Sequence, residues 1–99
     1  MKEDIQRVVI ESVENIGKKI NLSDLPVEVE VGIPKRKEFG DFSINTAMIL
    51  AKKMGENPRK VAELIIANLP PESERLFKKV DIAGAGFINF FVRENAIVD

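Results

Sequence analysis

Residues 87–92, rich in aromatic and β-branched side chains, favour a β-strand, whose period of two places successive side chains on opposite faces. One face of that strand carries the apolar residues expected in a core: Ile88, Phe90 and Val92. The opposite face carries Phe87, Asn89 and Phe91. An aromatic ring and a carboxamide two residues apart are suited to stacking on an unpaired base and hydrogen-bonding to its edge. The alternation therefore predicts an RNA-reading strand, or equally one whose rings pack under a neighbouring loop.

Two glycines, Gly84 and Gly86, precede this strand and predict a tight connection from an earlier strand at residues 78–83. A dinucleotide-binding or P-loop turn leads from a strand into a helix, whereas the element that follows here is a strand. The pattern therefore argues against a phosphate loop. We expect the glycines to adopt positive φ angles or to allow a partner close to the backbone.

The first third of the chain predicts one helix and one strand. Apolar residues recur at helical spacing in residues 3–16, and we expect Gly17 to cap this helix. Valine and glutamate alternate in residues 27–31, as they do in a half-buried strand. The glutamates would repel phosphate, so RNA would approach the end of the sheet near Phe87 and Asn89, or a loop.

The middle of the chain predicts two consecutive helices. The first has apolar residues at helical spacing in residues 44–54, with Asp41 or Ser43 as its N-cap and Gly55 as its end. The second begins at the Asn-Pro pair of residues 57–58 and ends before two prolines. With helices on one face of a small, largely antiparallel sheet, the chain is expected to form an α+β two-layer sandwich.

Length and charge set limits on function. The 99 residues, 44% of them hydrophobic, fit a single domain spanning residues 1–99. Lys and Arg total 15 against 16 Asp and Glu, so nucleic acid would have to be bound locally and not by bulk charge. Lys35, Arg36 and Lys37 form a basic run on a predicted loop that could contact phosphates, although so short a run is equally typical of a solvated surface.

Cysteine and histidine are both absent. Their absence excludes disulfides, thiol chemistry, histidine-based triads and the usual zinc ligand sets within these residues. Carboxylates and amines remain, but nothing in the pattern buries them beside a nucleophile, so we predict no catalytic site and no cofactor or metal site. An apolar run of membrane-spanning length and a basic leader are also absent, so we expect a cytoplasmic domain with no membrane partner.

Three segments together resemble one known family. Residues 40–47 read GDFSINTA, residues 57–63 read NPRKVAE, and residues 80–91 read VDIAGAGFINFF. In this order and spacing they are similar to the N-terminal additional domain of arginyl-tRNA synthetase. The resemblance implies a fold with core order α-β-β-α-β-β. It also implies a role in holding the D-loop at the outer corner of tRNA(Arg).

The resemblance also implies roles for individual residues. Phe87 matches an aromatic that packs against a D-loop nucleotide, and Asn89 matches an amide that hydrogen-bonds to the same base. Gly84 and Gly86 would shape the backbone beside that base. Some relatives have proline where this chain has Ala85, which predicts a less rigid turn here. The residues numbered 35–37 are a separate expectation from charge alone.

The family's HIGH and KMSKS sequences do not occur in these 99 residues. The resemblance therefore implies a non-catalytic domain of an arginine-tRNA ligase, whose catalytic domain would bind ATP, with magnesium, and would be a partner of this chain. The alternative is a docking module for another protein or for that catalytic domain, using a patch formed by Phe87 and Phe91.

Overall fold

Helices cover one side of an antiparallel sheet in the part of the chain that the computed structural model describes, residues 1–21 and 28–95. The elements in chain order are α1 (Lys2–Lys19), β1 (Val31–Gly32), a 3₁₀ turn (Lys37–Phe39), β2 (Phe42–Ile44), α2 (Thr46–Met54), α3 (Pro58–Ala67), α4 (Ser73–Leu76), β3 (Phe77–Ala83) and β4 (Phe87–Val92).

The four strands form one sheet in the order β1-β2-β4-β3, and each neighbouring pair is antiparallel. The last strand in sequence thus lies inside the sheet, between β2 and β3. This arrangement confirms the predicted α+β class and the order of its core elements. None of the helices in residues 1–21 and 28–95 is both long and apolar enough to cross a membrane.

The core lies between the sheet and the helices. Helix α1 contributes one fully buried stripe: Ile5, Val8, Val9, Val13 and Ile16. From the sheet, Ile88 and Phe90 are fully buried, and the Phe90 ring lies 4.9 Å from that of Phe77. Burying side chains of this size stabilises a fold by about 1.5 to 3 kcal/mol each. This core fixes which face of β4 is left for function.

Helix α1 continues past its predicted end. Gly17 is buried within the last turn, and the helix runs to Lys19. The left-handed position that ends a helix is taken instead by Asn21, at φ 59°. The prediction that Gly17 caps α1 was therefore wrong, because packing outweighs the tendency of glycine to end helices.

The start of α2 also differs from the prediction. Asp41 does not cap the helix: its carboxylate accepts a hydrogen bond from the Val92 amide at 2.8 Å. Ser43 lies within β2, and the N-cap position belongs to Asn45. The predicted end of α2 at Gly55 (φ 65°) is confirmed, as is the start of α3 at Asn57.

The first strand is shorter than the alternation indicated. Only Val31–Gly32 pairs with β2, and residue 27 lies outside the described residues. The burial nevertheless alternates as predicted, since Val29 is buried while Glu28 and Glu30 are exposed. Residues 73–76 form the short helix α4.

Candidate functional site

The sheet face away from the helices, here called the outer face, carries a row of polar residues. Asn89 on β4 pairs with Ser43 on β2 and with Asp81 on β3. Directly opposed residues in an antiparallel sheet extend to the same side. The side chains of Ser43, Asn89 and Asp81 therefore share the outer face, as the alternation in β4 predicted for Asn89.

An open groove of about 640 Å³ lies at one end of this face. Phe87 and Asn89 line it from β4, and the segment before the 3₁₀ turn lines it from the other side. The remaining lining residues are Glu30, Val31, Gly32, Ile33, Pro34, Phe39, Ser43, Ile44, Asn45, Ala83 and Gly84.

Phe87 and Asn89 differ in accessibility. Phe87 is 43% exposed, so part of its side chain is accessible for stacking. Asn89 is only 4% exposed, yet it lines the groove and lies on the outer face, not beneath the helices. The predicted pair is thus brought together, with the ring at the surface and the carboxamide deeper in the groove.

The turn before β4 requires both of its glycines. Gly84 has a φ of 56° and Gly86 a φ of 139°, and the Gly86 amide donates to the Ala83 carbonyl at 3.3 Å. A Cβ on Gly86 would lie 3.0 Å from Cβ of Pro58. The tight connection and the positive φ angles predicted for the glycines are both confirmed, and the turn packs closely on the start of α3.

Arg59, which the sequence analysis did not single out as a site residue, also holds this turn. Its guanidinium donates a hydrogen bond to the Gly84 carbonyl at 2.6 Å. Together with the contact between Gly86 and Pro58, this bond supports the turn from α3, even though residue 85 is alanine and not proline. The only signal in the sequence was that Arg59 belongs to the Asn-Pro-Arg-Lys segment.

The basic run lies on the loop that borders the groove. Pro34 and Phe39, on either side of the run, both line the groove. Arg36 is paired with Glu38 at 3.1 Å, which offsets part of its charge. Within the described residues no ion pair involves Lys35 or Lys37. Lys35 and Lys37 are thus exposed cations on a loop whose flanking residues line the groove.

Phe91 has a different environment from Phe87. Lys79 Nζ lies 5.0 Å from the centroid of its ring, and a Cβ placed on Gly40 would lie 3.4 Å from the ring edge. The half-buried Phe91 thus packs against Lys79 and the loop that leads into β2. The loop-packing interpretation applies to Phe91, whereas Phe87 faces the groove.

Three further observations come from comparison with known proteins. Residues 2–92 match the family model described as Arginyl tRNA synthetase N terminal domain. The chain belongs to this family. This result confirms the resemblance found in the sequence.

Full-length relatives of this synthetase N-terminal domain are similar over nearly all of the chain. The arginine–tRNA ligase of Shewanella denitrificans is 46% identical over 95 residues, which are 96% of this chain and 16% of that protein. That of Shewanella pealeana is 42% identical over 100 residues, which are 100% of this chain and 17% of that protein. The chain thus spans only a small part of the length of these curated relatives.

Solved structures show the same fold. The arginyl-tRNA synthetase of Plasmodium falciparum aligns over 94% of this chain and 16% of its own, with a TM-score of 0.72 at 22% identity. That of Thermus thermophilus aligns over 89% of this chain and 14% of its own, with a TM-score of 0.60 at 21% identity.

In residues 1–21 and 28–95, no three His, Cys, Asp or Glu side chains are grouped so that they could hold a metal ion. The groove-lining side chains offer an aromatic surface for stacking, and carboxamides and a hydroxyl for hydrogen bonding.

Proposed function

We propose that this chain is a tRNA-binding module of an arginyl-tRNA synthetase and that it recognises the D-loop at the outer corner of tRNA(Arg). The observation that carries the proposal is the exposed ring of Phe87 beside Asn89 in a groove on the outer face. A loop nucleotide can turn its base out of the helix and offer both a π face and a polar edge. Membership of the family supports the same conclusion.

In this proposal a base of the D-loop stacks on the Phe87 ring, and its edge forms hydrogen bonds with the Asn89 carboxamide. Because Asn89 is 4% exposed, the base has to enter the groove to reach it, which favours an unpaired nucleotide over a duplex. Gly84, whose Cβ position would lie 3.7 Å from the Phe87 ring, keeps the backbone beside the ring free of a side chain.

Phosphates next to that base would approach the basic loop. Lys35 and Lys37 lie between two groove-lining residues, so a base in the groove brings its own backbone towards them. Glu30 also lines the groove and repels phosphate on its side. The combined charges favour one orientation of the bound strand, with its backbone on the side of the loop.

The reaction itself belongs to the remainder of the synthetase. We propose that a catalytic domain outside these 99 residues performs ATP-dependent arginylation, with magnesium, and that this domain orients the tRNA for it in the cytoplasm. The present chain contributes binding energy far from the reacting atoms, through which a synthetase holds the correct tRNA in place.

Truncating Phe87 tests the proposal. We expect Phe87→Ala to weaken binding of a tRNA(Arg) transcript by about 1 to 3 kcal/mol, because a stacked base loses its platform. Leu64→Ala is the matched control, since Leu64 is a similarly exposed apolar residue (40%) on α3, the opposite layer. Fluorescence anisotropy with labelled tRNA would measure both, and equal affinities for the two variants would contradict the proposal.

The alternative, an apolar docking surface, has one observation in its favour. Ile33 and Phe39 line the same groove as Phe87, and they are 69% and 43% exposed. Because Phe91 packs against Lys79, it does not belong to this patch. The patch of Ile33, Phe39 and Phe87 therefore differs from the patch of Phe87 and Phe91 expected from the sequence. Salt separates the two functions, since affinity for RNA falls steeply as salt rises, whereas an apolar protein contact is affected little.

A further inference from the structure

The register of the sheet places a second carboxamide next to Phe87. Ser43 pairs with Asn89 and Ile44 pairs with Ile88, where β2 ends. Asn45 directly follows Ile44 and Phe87 directly precedes Ile88, so both residues are next to the last pair of this register. Asn45 also lines the groove. Phe87 and Asn89 of β4 thus lie near the Ser43 hydroxyl of β2 and near the carboxamide of the residue after β2.

The Asn45 side chain does not form the hydrogen bond that a capping asparagine normally makes. It occupies the N-cap position of α2, yet it makes no hydrogen bond to the helix. Its Oδ1 atom is buried and has no hydrogen-bond partner among the described residues. By contrast, the Asn57 side chain caps α3 and accepts hydrogen bonds from the Arg59 and Lys60 amides at 2.8 and 3.4 Å.

An unpartnered buried carbonyl oxygen is uncommon in folded proteins and calls for an explanation. The oxygen is an acceptor, and residues 1–21 and 28–95 supply no donor to it; the hydroxyls of Thr46 and Ser73 are also buried without a partner there. Every nucleobase carries at least one N–H group on its hydrogen-bonding edge. A base stacked on Phe87 would bring that edge close to β4 and to the end of β2.

We infer that Asn45 is a second base-reading residue of this groove, and that its carboxamide turns from its buried position to accept a hydrogen bond from the base that stacks on Phe87. The inference rests on the proposed function and extends it. Asn89 contacts the base edge from β4 and Asn45 from the residue after β2, so a base must satisfy two carboxamides at once. This double requirement discriminates among bases more sharply than one amide does.

The main competing explanation is that Asn45 serves the fold, as a residue that starts α2. Asn45→Ser separates the two roles, because serine caps helices as well as asparagine does but is too short to reach a base as the carboxamide would. The change is tested in the 99-residue chain with labelled tRNA(Arg) transcript at low salt, together with the thermal midpoint of each variant.

We expect Asn45→Ser to weaken binding about three- to tenfold, the usual effect of one hydrogen bond, with no change in the thermal midpoint. The effect should disappear when Phe87→Leu is also present, because a base that no longer stacks does not hold its edge against Asn45. Phe87→Leu is preferred to alanine in this cycle because it leaves binding strong enough to measure.

Two results would overturn the inference while leaving the proposed function intact. One is wild-type affinity for Asn45→Ser alongside weakened binding by Phe87→Leu. The other is a loss from Asn45→Ser that is equally large with and without the Phe87 substitution, since the two residues would then not share a base. If Phe87→Leu itself binds tRNA as the wild type does, the proposed function fails, and this inference fails with it.

Discussion

Gly86 illustrates how a single position joins the groove to the core. Its φ of 139° is one that residues with a side chain rarely adopt. A Cβ there would also lie 3.0 Å from Cβ of Pro58 and 3.3 Å from the Pro58 carbonyl carbon. Because Pro58 is held in the first turn of α3, it cannot move aside easily, so both conformation and space demand glycine.

We therefore predict that Gly86→Ala lowers the free energy of unfolding by about 2 kcal/mol or more. Gly55→Ala is the control, because Gly55 also has a positive φ (65°) but nothing lies within 4 Å of its Cβ position. Gly55→Ala should lower the free energy of unfolding only by the cost of placing alanine at a positive φ, about 1 kcal/mol. Urea denaturation measures both, and equal losses would show that the contact with Pro58 contributes nothing.

The two N-cap asparagines should differ in what they contribute to stability. Asn57→Ala removes two hydrogen bonds to the first turn of α3 and should cost about 1 kcal/mol. Asn45→Ala removes no hydrogen bond to α2 and should cost less than about 0.5 kcal/mol. Chemical denaturation of the two variants checks this difference, and a larger loss at Asn45 would contradict the structure of the α2 start.

At the scale of whole elements, the periodic patterns were sufficient wherever an element buries one face. They predicted α1, α3 and β4, because the core selects residues at fixed spacing. They were wrong about the end of α1 and the N-cap of α2, which depend on packing and on partners distant in sequence. Asp41 bonds to Val92 across the sheet, and no local pattern around Asp41 contains that information.

In the candidate site too, the sequence predicted the residues that follow a local pattern and missed those that depend on distant contacts. Phe87 and Asn89 were found because they alternate on one strand, whereas Asn45 and Arg59 matter through contacts that only the folded chain creates. Asn45 reaches the groove because β2 pairs with β4, and Arg59 reaches Gly84 because α3 starts beside the turn. From the sequence alone, Asn45 and Arg59 are equally consistent with ordinary residues at the start of a helix.

The contact between α3 and the turn before β4 predicts a coupling between these elements. Arg59→Ala removes the 2.6 Å hydrogen bond to the Gly84 carbonyl, an exposed bond worth about 1 kcal/mol or less to global stability. The turn should open more often, so we expect faster hydrogen exchange at the Gly86 amide than in the wild type. Arg59→Lys, which keeps a donor, is the control, and unchanged exchange in Arg59→Ala would show that the turn is held by packing alone.

For the molecule as a whole, the placement of charge matters more than its total. The net charge is −1, so attraction of RNA cannot come from the average field. Lys35 and Lys37 border the groove, whereas Lys52 and Lys53 lie in the last turn of α2. Helix α2 begins beside the groove, and its nine residues carry it about 13 Å away at about 1.5 Å per residue.

Two double variants with the same net charge test this placement. Lys35→Gln with Lys37→Gln should weaken tRNA binding and lower the slope of log affinity against log salt by about 1 to 2, because up to two phosphate contacts are lost. Lys52→Gln with Lys53→Gln should leave the slope unchanged, with at most a small loss of helix stability from the missing charge at its carboxyl end. Anisotropy titrations at several salt concentrations measure the slopes. If both pairs lower the slope equally, binding follows net charge, and the basic loop has no special role beside the groove.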